Sequence, residues 1–379
     1  LHEASTSKNV LAACFAGFLA FLIALFASAL WGPIALIATS FIYWSWASHL
    51  LQTSSQWVEV ARPIAVMFSV YLIVTAARLA GEERKRRQVR KMFSAYVSGE
   101  VLAYLEDNPE AFSLTGERRD VTVFFSDVQG FTNMSETVTP DVLASILNRY
   151  FTPMSELVMA EGGYVDKYIG DCVMAVFGVP QPLEDHAIRC CRSAIRQMDA
   201  LAELNKELKE EFNNTLAIRI GINTGLVSAG NMGSDSRFEY TVMGDVVNLG
   251  SRLEGANKAY DTRVMVGQNT YEAAKEAFDF RMLDLLRVKG KAQPVKVYEL
   301  LGAKGEVPQK TLDLMERFAQ AWHLYKDKQW DEAISLFQEV DNGRKGGDGP
   351  SKLYIKRCRN YIESPPNDDW AGVFVMKTK

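Results

Sequence analysis

The sequence predicts an α+β protein in two environments: three transmembrane helices, a cytosolic domain of mixed strands and helices, and a small helical extension. Three observations predict it. Residues 1–80 hold only five charged side chains, Glu3, Lys8, Glu59, Arg62 and Arg78, and Asn9 to Val58 hold none. Beyond residue 115, runs of β-formers and an amphipathic stretch follow in the order strand, helix, strand, strand. Past residue 308 the apolar residues recur at helical spacing.

The first span runs over 10–30, long enough as a helix to cross ~30 Å of hydrocarbon. Trp31-Gly32-Pro33 reads as a tight turn, because Gly and Pro interrupt helices and Trp favours the interface. A second span covers 34–51 and is rich in aromatics (Phe41, Tyr43, Trp44, Trp46). A third covers 61–80, with Arg78 placed to snorkel toward the far surface. Arg84-Lys85-Arg86-Arg87 follows at once, and basic residues beside a span mark its cytosolic side. Three crossings then leave residue 1 outside the cytosol. The chain starts at Leu with no cleavable signal, and an extracytoplasmic sensor portion is expected to be missing from it.

Residues 81–114 form a connecting segment. Over 81–108 it is helical, with Val89, Met92, Phe93, Tyr96, Val97, Val101 and Leu105 on one stripe, and Asn108-Pro109 ends it. The stripe suits either a second chain or the domain that follows.

Val121–Ser126 is a run of β-formers expected as a buried central strand, with Asp127 at its end. Thr139-Pro140 opens an amphipathic helix, a cap followed by Pro in the first turn. Glu161-Gly162-Gly163 breaks it. Tyr164–Ile169 and Cys172–Phe177 are strands joined through Gly170-Asp171. Strands laid side by side in this order bring Asp127 and Asp171 face to face. Two such carboxylates stay ionised together only with a cation between them, and hard oxygen ligands suit Mg²⁺ or Mn²⁺. Separate turn-capping by each Asp is the other reading. Leu216–Ile222 is a strand carrying Arg219, followed by Asn223-Thr224-Gly225 and a second apolar run to Ala229. Thr241–Asn248 leads into a helix with Asn248 and Arg252 one turn apart on one face. Lys289-Gly290-Lys291 follows a strand, and Val295–Leu300 closes the domain.

These residues, in this order, resemble the class III nucleotidyl cyclases, of the membrane-bound bacterial receptor type. Phe125-Ser126-Asp127-Val128-Gln129-Gly130-Phe131-Thr132 is similar to that family's metal-binding loop. Asp166-Lys167-Tyr168-Ile169-Gly170-Asp171 is similar to its second metal and purine-reading segment, and Gly244-Asp245-Val246-Val247-Asn248 with Ser251-Arg252 to its transition-state segment. The resemblance covers 115–302. It implies a ferredoxin-like βαββαβ catalytic domain acting as a homodimer with sites at the interface, and ATP as substrate for cyclic AMP synthesis.

Asp127 and Asp171 would hold two Mg²⁺ or Mn²⁺ ions per site, and Arg219 would contact phosphate. Lys167 and Thr241 occupy the purine-selecting positions, contributed by the other chain. Asn248 would place the ribose and Arg252 would stabilise charge on the α-phosphate. Lys289 matches the triphosphate lysine, with Lys291 as its rival. A backbone nest at Gly130-Phe131-Thr132, ahead of the helix, would cradle phosphate oxygens. Lys167 donates to adenine N1, whereas guanine N1 carries a hydrogen. A guanylyl or mixed-specificity cyclase and a catalytically silent receptor are the alternatives; every required residue type is present, which weighs against silence.

The extension, 303–379, reads as a hairpin of two helices over 309–342 similar to a single tetratricopeptide repeat. A Gly-rich linker over 342–350, a further helix over 354–362 and an apolar tail over 370–376 that packs back complete it. It serves either as a lid on the catalytic domain or as a partner-binding module. The net charge of −4 argues against nucleic-acid binding. The five cysteines have no metal or redox spacing, and the four histidines are scattered. The lipid bilayer is therefore the one macroscopic partner that composition alone demands.

Overall fold

The computed structural model describes residues 2–3, 6–27, 31–54, 56–93, 116–234, 237–287, 294–367 and 370–375. It divides into two compact units, Leu1–Val97 and Ser98–Lys379.

In the first unit, the charge-free run becomes helices because only a helix satisfies every backbone group within lipid. A two-residue parallel pair, β1 (His2–Glu3) with β2 (Gln56–Trp57), accompanies α1 (Thr6–Phe26), α2 (Trp31–Ser54) and α3 (Ala61–Phe93). All three are long and apolar enough to cross a membrane. Small residues let α1 and α3 approach closely: Ala16, Ala20 and Ala24 are buried, and a Cβ on Gly17 would stand 3.0 Å from Val66.

Two expectations change here, and one gains detail. Trp31-Gly32-Pro33 is the first turn of α2 rather than a turn between spans, since proline's missing N–H costs nothing there. Arg78, exposed near the end of the third span, also makes contacts with α1. Its Nη1 donates to the carbonyls of Ala24 (3.3 Å) and Leu25 (3.2 Å), satisfying acceptors that the end of α1 leaves open. The third span and the connecting helix are one 33-residue helix, because Glu, Arg and Lys continue a helix as readily as Leu does. The remainder of the expected connecting helix, including Tyr96, Val97, Val101, Leu105 and its Asn108-Pro109 stop, lies outside the described residues.

The second unit is built on β3 (Glu117–Val128), whose run from Val121 to Ser126 is fully buried. Burial on both faces explains why no charged residue enters that run, and its two polar side chains, Thr122 and Ser126, are hydrogen-bonded inside. After it come α4 (Phe131–Thr137), α5 (Pro140–Ala160), β4 (Gly163–Ile169), β5 (Cys172–Phe177), α6 (His186–Phe212), β6 (Ile218–Ser234), β7 (Arg237–Met243) and α7 (Asp245–Tyr260). Then follow β8 (Val264–Gly267), α8 (Gln268–Ala274), β9 (Phe278–Arg287) and β10 (Val295–Ala303). The extension supplies α9 (Gln309–Lys326), α10 (Trp330–Gly343), α11 (Gly349–Glu363) and β11 (Val373–Val375). Among the described residues the sheet runs β11-β9-β10-β8-β6-β3-β5-β4, with β7 also on β6.

β6 is longer than expected. Asn223-Thr224-Gly225 does not interrupt it, because each residue keeps a ladder partner on β3. α7 crosses β6 at Gly221, where a Cβ would meet the Glu254 backbone nitrogen at 2.2 Å. That glycine sets how closely the helix approaches the sheet.

The extension is joined to the catalytic domain rather than tethered to it. α9, α10 and α11 share one core around Phe318, Phe337 and Tyr354, so the hairpin gains the third helix that a lone repeat lacks. The expected Gly-rich linker is anchored: Asp348, with no exposed side-chain surface, caps α11 and pairs with Arg281 of β9 at 2.8 Å. Arg357 of α11 pairs with Asp284 of β9 at 2.6 Å. Tyr354 donates to the Leu283 carbonyl, and the apolar tail lies parallel on β9 as β11.

Candidate active site

The ladder itself assembles the first cluster. Asp127 sits next to last in β3, directly opposite Arg219 of β6 in register. Their side chains approach to 3.7 Å, and the Arg219 Nε lies 3.4 Å from Glu254 of α7. Asp171 occupies the β4–β5 turn, where Gly170 takes the left-handed φ of 66° that the tight hairpin requires. Its Oδ2 accepts from the Val128 N–H at 3.1 Å, which fixes it beside the end of β3. The structure therefore brings Asp127, Asp171 and Arg219 together.

This cluster holds more acid than base. Burial first, then the Asp171 charge, push the Asp127 carboxyl up to about 6, with Arg219 opposing. Burial and the Asp127 charge push Glu254 up to about 7. Carboxyl groups held in this way suit a divalent cation, which takes hard oxygen ligands. Among the described residues no group of three or more His, Cys, Asp or Glu gathers tightly enough to hold an ion alone. The donor set thus fits a metal that takes two carboxylates from the protein and the rest of its ligands from phosphate and water.

Gly130 caps α4 with φ 74°. Phe131 and Thr132 form the first turn of that helix rather than a nest preceding it, so any phosphate contact there goes through helix N–H groups.

A second cluster lies between β4 and β7. Lys167 Nζ donates to Glu239 at 2.8 Å, and the Thr241 hydroxyl donates to Asp166 at 2.5 Å. The two strands belong to different parts of the sheet. They meet because the Tyr164 hydroxyl donates to the Tyr240 carbonyl at 2.9 Å and the two rings pack edge to face. Lys167 and Thr241, 74 positions apart in sequence, share this one polar group.

Asn248 and Arg252 lie on the exposed face of α7, with its N-cap Gly244 at φ 147°. Lys289 and its rival Lys291 lie outside the described residues.

Sequence reasoning passed over Glu254, Asp166 and Glu239. Asp166 precedes Lys167 within the quoted motif, and Glu254 sits two residues beyond Arg252, yet neither position announces its partner.

A family profile described as "Adenylate and Guanylate cyclase catalytic domain" matches residues 115–302. An adenylate cyclase of Dictyostelium discoideum, terminal-differentiation specific, is 32% identical over 250 residues, covering 65% of this chain and 12% of that protein. The crystal structure of the adenylyl cyclase CyaB from P. aeruginosa is 34% identical with a TM-score of 0.48, covering 52% of this chain and 100% of that one. A bacterial light-regulated adenylyl cyclase shares the fold at 22% identity and a TM-score of 0.52, covering 60% of this chain and 66% of its own. The matched segment makes up between 12% and 37% of the length of the first curated relatives.

Proposed function

The chain belongs to the class III nucleotidyl cyclases through residues 115–302, and from that premise we propose that it is a membrane-bound adenylyl cyclase making 3′,5′-cyclic AMP and pyrophosphate from ATP. Three apolar helices precede the catalytic domain, the arrangement of a multi-pass inner-membrane protein whose catalytic domain faces the cytoplasm. The observation that carries the adenylyl reading is the pairing of Lys167 and Thr241 in one polar cluster. An ammonium donates to adenine N1 but meets a hydrogen on guanine N1.

In this reading the protein acts as a homodimer, one chain supplying the purine pair and the other the acidic cluster. Asp127 and Asp171 hold Mg²⁺ or Mn²⁺, which when bound lowers the pKa of the ribose 3′-hydroxyl and offsets phosphate charge. Arg219 and Lys289 bind the triphosphate, with the α4 N-terminus beside it. Asn248 orients the ribose so that its 3′-oxygen stands in line with the α-phosphorus. Arg252 meets the charge that grows on the α-phosphate as pyrophosphate leaves.

The test is product analysis by mass spectrometry on purified protein, with Mn²⁺ and either ATP or GTP. Cyclic AMP from ATP, abolished in Asp127→Ala and reduced in Lys167→Glu, is the expected result. Cyclic GMP as the main product overturns the specificity, and no cyclic product from either nucleotide overturns the activity.

A further inference from the structure

Beneath the purine pair lies Asp166. It is the extra residue of a β-bulge: Val165 pairs with Ala175 and Lys167 with Met174, leaving Asp166 between them without a partner on β5. A bulge re-aims the side chain it carries, and here the carboxylate is 1% exposed. Its Oδ2 accepts the Thr241 hydroxyl at 2.5 Å. Among the described residues its buried Oδ1 has no hydrogen-bond partner and lies 3.6 Å from Lys167 Nζ.

A hydroxyl carries a single hydrogen. With that hydrogen committed to Asp166, Thr241 Oγ1 presents only lone pairs to anything else. We propose that Asp166 is a specificity-determining positioning residue: by taking the Thr241 hydrogen it fixes that hydroxyl as an acceptor, and so selects a 6-amino purine over a 6-oxo purine. The inference rests on the adenylyl reading given above.

The exocyclic amine of adenine donates to such an acceptor. The guanine O6 would face it lone pair to lone pair. Threonine alone makes no such choice, since a freely turning hydroxyl donates as easily as it accepts. A carboxylate 1% exposed and 3.6 Å from Lys167 Nζ holds that hydrogen in place and removes the freedom.

The experiment compares kcat/KM for ATP and for GTP in the full-length chain with Mn²⁺, quantifying both cyclic products. Asp166→Ala frees the hydroxyl, and the ATP-over-GTP ratio is expected to fall about tenfold, the scale of one misplaced hydrogen bond. Asp166→Asn keeps the shape and reverses the bond. Lys167 holds the amide oxygen on its side, which turns the NH₂ toward Thr241 and releases the hydroxyl hydrogen toward the purine. Its ratio is expected to fall at least as far as that of the alanine variant.

In a Thr241→Val background, adding Asp166→Ala is expected to leave the ratio where Thr241→Val put it. Both nucleotides losing activity by one common factor, with the ratio kept, overturns the proposal and leaves Asp166 a structural residue. If the alanine variant fails to fold by thermal melting, the ratio of the asparagine variant decides alone. A wild-type protein that prefers GTP sinks the adenylyl reading itself. A wild-type preference for ATP that neither variant moves sinks only the role of Asp166.

Discussion

Arg219 stands between two carboxylates, Asp127 across the ladder and Glu254 on the helix above. If Arg219 binds phosphate, Glu254 holds the guanidinium where the phosphate arrives. Glu254→Gln is expected to lower kcat/KM for ATP about tenfold, the scale of a partly buried ion pair that positions the guanidinium. Steady-state kinetics should show the loss mainly in KM. An unchanged KM would remove Glu254 from substrate binding. His186 gives a residue-scale prediction in stability. Its Nδ1 lies 2.7 Å from the Thr122 hydroxyl, and burial holds its pKa below the ordinary 6.5 against the raising pull of Asp120 and Asp185. The unfolded chain therefore takes up this proton first as pH falls. The contribution is whole above pH 6.5 and is lost as pH drops from there through the lower folded value. Melting temperatures of wild type and His186→Gln should accordingly converge on acidification; a gap that widens would refute the assignment. At this scale Asp127, Asp171, Lys167 and Thr241 were legible because each sits in a recognisable run. Glu254 and Asp166 were not, because their meaning lies in a partner on another element: Arg219 is 35 positions from Glu254, and Thr241 is 75 from Asp166.

Elements were legible wherever burial had one period. The central strand, the β4–β5 hairpin and the helices of the extension follow from patterning alone. What was missed depended on neighbours. β6 runs through Gly225 because β3 pairs with every residue of that stretch, and α3 passes beyond the apolar run because helix propensity is indifferent to polarity. The apolar tail already read as packing back, but the ion pairs that fasten the extension to β9 were hidden, since they use charged residues that read as surface. Asp284 is fully buried, bonded by Arg357 and by the Tyr260 hydroxyl. Asp284→Ala leaves the Arg357 guanidinium buried without its counter-ion, and breaking such a pair typically costs about 3–5 kcal/mol. Denaturant unfolding of the variant should show that loss. Glu339→Ala, at the exposed pair with Arg317, should stay within about 1 kcal/mol.

At the scale of the molecule, Ser98–Lys379 forms one compact unit with its own core, and the helices of the extension contribute to it. A fragment of those residues, freed of the spans, is expected to remain soluble and to melt in a single transition that includes the extension. Two separate transitions by calorimetry would show the extension to be an independent module. The division between membrane and cytosol was legible from charge alone, since lipid tolerates so little of it. The two ends of the sheet carry a further consequence. Among the described residues one ends in β11, three residues long, and the other in β4, interrupted by its bulge at Asp166. Neither offers the long flat row of open N–H and C=O groups on which a stray strand nucleates. On a membrane surface, where chains are confined to two dimensions, edges of this kind are expected to resist strand-to-strand association between copies.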